Sequence, residues 1–192
     1  GERRPVAERE REPLTMAFIR FLLVAVLLFT ALLLQLTVLP LFNLPGATPD
    51  LLLVTVAAVG VASGPVKGAG CGFVAGVALD LAPPSTGILG LSAVVLTVVG
   101  YLAGELGERR DRPALNTILA VAGLAGGAVV GYAMIGGIVS DPRVDWARVP
   151  ILALTSALYA GVLAAFVVPG VGAMVRRLDP PDTGYELGRY DR

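Results

Sequence analysis

Two carboxylates stand where apolar stretches meet turns, and they are the groups best placed to do chemistry. Asp50 follows Pro49 and opens the run Leu51-Leu52-Leu53. Asp80 closes the ridge Gly68, Gly72, Gly76, Asp80 and is followed by Pro83-Pro84. A carboxylate at the edge of an apolar region is costly to desolvate, which makes it a candidate functional group. Each also has a plainer use. Asp50 reads as a helix-capping residue: Thr48 before it can also cap, Pro49 suits a first helical position, and the Asp50 charge complements the positive end of a helix dipole. Asp80 serves either a partner's donor or the amides and arginines of its own loops.

The remaining inventory is sparse. The chain has no histidine, the commonest general base and metal ligand. Its single cysteine, Cys71, lies in an apolar stretch and reads as a small packing residue. One cysteine cannot make an internal disulfide or a cysteine-rich zinc site. No nucleophile has a base beside it, and no phosphate loop stands in a usable context. The glycines of Gly68-Ala69-Gly70 and Gly72 do not follow a strand, which excludes a dinucleotide fingerprint. The formal net charge is +0, so nucleic acid is not an expected partner. No enzyme activity, cofactor or metal is expected. Thr30, Gln35, Thr55, Ser92, Thr97, Thr155, Ser156 and Tyr159 lie inside apolar runs and are expected to bond back to their own helix or a neighbour.

The elements that carry these residues are membrane helices. Charged residues make up 16% of the chain and hydrophobic ones 55%, against roughly 25% charged in a soluble domain. Mean hydropathy is +0.77. The charges cluster in residues 1–20, 105–112, 141–148 and 176–192. Between the clusters run apolar stretches near the ~20 residues that a bilayer core demands. The expected fold is an all-α membrane protein, a compact bundle of about six transmembrane helices. Its domains are a polar mobile tail over 1–16, the bundle over 17–177, and a disordered tail over 178–192.

The first segment runs from about Ala17 to Leu41, too long for a cleaved signal peptide. The second, Asp50 to Ser63, rises only about 21 Å and ends at Gly64-Pro65. The third runs from about Val66 to Ala82. These two form a short hairpin that either crosses the membrane or dips into it, and it puts Asp50 and Asp80 on one side. The fourth runs from about Thr86 to Gly104, the fifth from Ala114 to Ile138, and the sixth from Pro150 to Val175, with Pro169-Gly170 expected to kink or end it early. With both termini in the cytoplasm, every lysine and arginine except Arg143 and Arg148 falls on the inner side. Trp146 then lies in an outer loop.

Glycines recur four apart at Gly68, Gly72 and Gly76, at Gly100 and Gly104, and at Gly123, Gly127 and Gly131. Small residues at this spacing let helix backbones approach closely in lipid. They hold either the protein's own bundle or a groove for another protein. They also place the third and fifth segments in the interior, and the leucine-rich first segment at the edge.

Pro49-Asp50-Leu51-Leu52-Leu53, the run from Gly68 through Cys71 to Gly76 leading to Asp80, Gly87-Ile88-Leu89-Gly90 and Gly100-Tyr101-Leu102 resemble the rod shape-determining protein MreD family. The resemblance covers roughly Phe18 to Arg177. It implies a non-enzymatic scaffold in the bacterial plasma membrane that supports peptidoglycan synthesis. Its implied partners are MreC, the synthase RodA with its class B penicillin-binding protein, and indirectly MreB, all among membrane lipid. The family is similar in architecture to the substrate-binding subunits of energy-coupling-factor vitamin transporters, which leaves such a solute-binding subunit as the alternative.

Overall fold

The computed structural model describes residues 6–42, 46–82, 89–108, 113–141 and 144–177. They form six α-helices and one short 3₁₀ turn, and among the described residues there is no strand. Helix α1 spans Val6–Thr37, followed by the 3₁₀ turn Leu39–Phe42; α2 spans Leu51–Ser63, α3 Pro65–Leu81, α4 Leu91–Glu108, α5 Ala114–Ile138 and α6 Val149–Arg177. Within them, Phe18–Thr37, Leu91–Glu108, Ala114–Ile138 and Val149–Val175 are long and apolar enough to cross a membrane, while α2 is a shorter apolar helix.

Helix α2 is the axis of the bundle. Every residue from Leu52 to Gly60 is buried. Its sequence, Leu-Leu-Leu-Val-Thr-Val-Ala-Ala-Val, is apolar on all faces apart from Thr55, and such a helix is stable only when surrounded. It is packed by α1, α3, α4 and α6. The Thr55 hydroxyl donates to the Leu51 carbonyl at 2.8 Å, so this buried polar side chain needs nothing from its neighbours.

The interior therefore differs from the arrangement expected from glycine spacing. Helix α3 buries one face, through Gly68, Gly72, Ala75 and Gly76, and exposes Phe73 and Val74 on the other. Helix α5 buries only the line Val121, Ala125, Ala128, Ala133 and Gly136. Helix α1 does lie at the edge: among its described side chains Leu28 and Ala31, one turn apart, are the buried ones, and Phe21 is 71% exposed.

Helix ends also shift for identifiable reasons. Helix α1 begins at Val6, inside the stretch expected to be a mobile tail, while residues 178–192 lie outside the described residues. Helix α4 starts at Leu91, directly after Gly90 in a left-handed conformation (φ 91°), and the expected start near Thr86 lies outside the described residues. Helix α6 continues through Pro169 to Arg177. Beyond the proline, Val171 and Val175 pack on Ala58 and Val59 of α2, and that burial holds the last two turns in place.

Candidate functional site

The two sequence-selected carboxylates lie at the same end of the bundle, and each organises a helix start. Asp50 is the N-cap of α2: its Oδ1 accepts the Leu53 N–H at 2.8 Å. Asp50 caps as expected, and Thr48 does not, because the helix begins at Leu51. Pro49 is buried just before it. Gln35 of α1 completes the motif. Its Oε1 accepts the Leu52 N–H at 2.7 Å, and its side chain is also hydrogen-bonded to Asp50. Two of the free amides at the start of α2 are satisfied this way, one of them from a different helix.

Asp80, in the last turn of α3, performs the same service for α4. Its Oδ2 accepts the Gly90 N–H at 2.8 Å and the Ala93 N–H at 3.4 Å. The carboxylate thus spans the loop it precedes and caps the helix that follows, a longer-range version of the usual local cap. Negative charge at the N-terminal ends of α2 and α4 is favoured by both helix dipoles.

Three further groups belong to this polar layer. Tyr132 of α5 is hydrogen-bonded to Ser92 of α4 and lies within electrostatic reach of both Asp50 and Asp80. Thr155 of α6 accepts the Ala47 N–H at 3.0 Å and donates to the Ile151 carbonyl at 2.8 Å. Gly46 fits against Thr155 with a left-handed φ of 87°, and a Cβ there would sit 2.8 Å from the threonine methyl. Sequence reasoning singled out Gln35, Ser92 and Thr155 only as polar residues in apolar runs and passed over Tyr132. An uncharged polar residue in an apolar helix gives no sign of which neighbour it meets.

Nearby, the loop after α5 folds back on Gly136 and Gly137. A Cβ on Gly137 would lie 2.7 Å from the Trp146 ring. Asp145 accepts the Ala147 N–H at 3.1 Å and pairs with Arg148 at 3.1 Å, a solvent-facing pair of small energetic weight.

The expected packing glycines divide sharply. A Cβ on Gly68 would run into the Gly100 carbonyl, on Gly72 into the Leu96 carbonyl, on Gly76 into Ala93 backbone, and on Gly104 into Pro65. Helices α3 and α4 are thus antiparallel and in backbone contact along nearly their whole length. Gly60 of α2 joins them, with a Cβ there only 2.6 Å from the Gly100 oxygen, so Gly60, Gly68 and Gly100 of three helices meet at one point. Gly107 makes the same kind of contact with Val61. The Gly68-Gly72-Gly76 groove is filled by α4 and is not open to another protein.

The stripe on α5 is different and corrects the expectation. A Cβ on Gly123 or Gly127 would meet nothing within 4 Å, and one on Gly131 would only touch Val95 at 4.0 Å. Helix α5 meets α6 through Gly126, which faces Ala153, and that places Gly123 and Gly127 on the outward side.

Chemically, this layer holds helix ends together. Among the described residues, no group of histidine, cysteine and carboxylate side chains is arranged to hold a metal ion, and no buried side-chain nitrogen or oxygen lacks a hydrogen-bond partner. Cys71 is half-buried on α3, away from both carboxylates.

The family model of the rod shape-determining protein MreD matches residues 16–168. The chain belongs to the MreD family. Every helix except the last turns of α6 and the start of α1 falls within the matched region. No curated protein matches the chain, and no solved structure does. Membership carries a role in rod shape determination, and the MreD family is a structural component of that system and not a known enzyme family. Helices able to span a membrane agree with a multi-pass membrane protein.

Proposed function

We propose that the protein is a non-enzymatic scaffold of the cell-wall elongation complex in the bacterial plasma membrane. It binds MreC and the pair formed by RodA and its class B penicillin-binding protein, and through them acts on MreB. The observation that carries this is the family match across residues 16–168. The structure is compatible with it in a specific way. Asp50 and Asp80 are engaged with backbone amides, while large apolar side chains on α1, α3 and α5 stay exposed. Such faces suit lateral contact with lipid and with partner helices.

Both termini are cytoplasmic in this proposal, supported by the lysine and arginine distribution. The Asp50–Asp80 end then faces outward and the Arg20–Lys67 end inward. With Cys71 replaced, single cysteines at Asp145 and Asp111 separate the two orientations in intact cells. An impermeant thiol reagent should label the first and not the second, and the reverse pattern defeats the orientation.

The test of the function is co-purification in mild detergent. MreC or the RodA synthase pair should be retained. A tightly held vitamin, or a pair of ATPases, would instead indicate a solute-transporter subunit and overturn the scaffold.

A further inference from the structure

One open space lies away from the polar layer. It is a groove of about 510 Å³ between α1, α2 and α3. Its walls are apolar, from Phe21, Val24 and Leu28 on α1 to Val59 on α2 and Val74 on α3. Among the described residues, two cations, Arg20 and Lys67, also line it, and no acidic residue does. Both belong to the end of the bundle where α2 turns into α3.

From this juxtaposition we infer that the groove binds one anionic phospholipid of the cytoplasmic leaflet, with its phosphate held between Arg20 and Lys67 and an acyl chain along α1. The side of the membrane rests on the orientation proposed above. Three features favour this occupant. From Arg20 to Leu28 the helix rises about 12 Å, close to the ~15 Å depth of one leaflet's hydrocarbon. Basic pockets between membrane helices on the cytoplasmic side are the general form of an acidic-lipid site. A phospholipid also supplies a fixed charge at headgroup level and an apolar chain below it in one molecule, which matches two cations at one end of an apolar groove.

Lys67 adds a separate argument. It lies in the first turn of α3, whose N-cap Gly64 provides no side-chain cap. A cation there opposes the helix dipole, so Lys67 does not serve its own helix. The Glu108 carboxylate already stands by the N-cap, 3.7 Å from where a Cβ on Gly64 would lie, and a phosphate beside Lys67 is favoured by the same dipole.

Gly70 allows a steric test. It is exposed, and a Cβ on it would meet nothing within 4 Å, although Gly70 lines the groove. Gly70→Leu should therefore fill the groove without disturbing the α3–α4 contact. Arg20→Gln with Lys67→Gln removes the charges and leaves the walls intact. The full chain is purified in mild detergent, and co-purified phosphatidylglycerol is counted by native mass spectrometry. Melting is then followed with added phosphatidylglycerol or phosphatidylcholine.

The wild-type protein should retain one phosphatidylglycerol and melt higher with it than with phosphatidylcholine. The double variant should bind it about tenfold or more weakly and lose the preference for the acidic lipid. Gly70→Leu should lose both lipids. Val74→Trp, at another exposed position on the groove wall, provides a second steric variant if Gly70→Leu folds poorly. Wild-type retention of phosphatidylglycerol in the charge variant or in a folded steric variant overturns the proposal. A protein that never distinguishes phosphatidylglycerol from phosphatidylcholine overturns it as well.

Discussion

Helices α3 and α5 carry the same glycine pattern and use it in opposite ways. On α3, Gly68, Gly72 and Gly76 each stand where a side chain would strike the backbone of α4. On α5, Gly123 and Gly127 look onto open space. Four-residue spacing states which residues share a face, and says nothing about what that face meets. The difference lies in the neighbours. Helix α4 offers Ala93, Gly100 and Gly104 in matching register to α3, small on small. Helix α5 presents Val121, Ala125 and Ala128 to the core instead, so its glycine stripe turns away.

The largest expected effect is at the tight contact. Gly72→Leu should abolish the folded protein, seen as loss of the monodisperse peak in detergent size-exclusion chromatography. Even Gly72→Ala forces helix separation, and overpacking of this kind costs about 1–3 kcal/mol or more. A Gly72→Ala variant with unchanged melting would mean that α3 and α4 are not in backbone contact.

Next is the cap that fixes the start of α4 beside that contact. Asp80→Ala removes the acceptor for Gly90 and Ala93 and should cost about 0.5–2 kcal/mol, whereas Asp80→Asn retains most of the capping. Melting and partner pull-down should be compared in both variants. Loss of pull-down in Asp80→Asn at unchanged melting temperature would give the carboxylate a role toward a partner.

Gln35→Ala should follow, at about 1 kcal/mol, since it removes the Gln35 acceptor from the Leu52 N–H and unties α1 from α2. Its melting loss should shrink when Asp50 is already alanine, because the two side chains are hydrogen-bonded to each other. Strict additivity would argue that they act separately.

The smallest effect is expected on α5. Gly127→Ala should leave melting unchanged or raise it by up to ~1 kcal/mol equivalent through better helix propensity. Clear destabilisation of the isolated protein would show that this stripe is packed after all and would erase the contrast with α3. Loss of a co-purifying partner at unchanged melting would instead mark it as a contact face.

Much of the architecture was legible in the residues. The bounds of α5 were readable as Ala114–Ile138 because Pro113 and a charged loop frame an uninterrupted apolar run. The α2–α3 break followed from Gly64-Pro65, with Gly64 at a φ of 91°. Of the two outcomes expected at Pro169-Gly170, a kink or an early end, the early end does not occur, because a proline inside a helix carries a local cost that distant packing can offset. The site was only half legible. Asp50 and Asp80 declared themselves by being charged in apolar surroundings, but the Gln35 amide, the Tyr132–Ser92 pair and the Thr155 tie join residues far apart in sequence.

The sequence alone determined that this chain forms helices in a bilayer, where they break, and which residues share each face, since all of these follow from local polarity and backbone chemistry. Only the tertiary structure decided that α2 is the axis, that Gly68 meets Gly100 while Gly127 meets nothing, and that Asp80 caps the helix after it. The physical reason is the solvent. In lipid, the inside and the outside of a protein are equally apolar, so hydrophobicity does not sort one face of a helix from another, and the choice falls to close packing between particular neighbours.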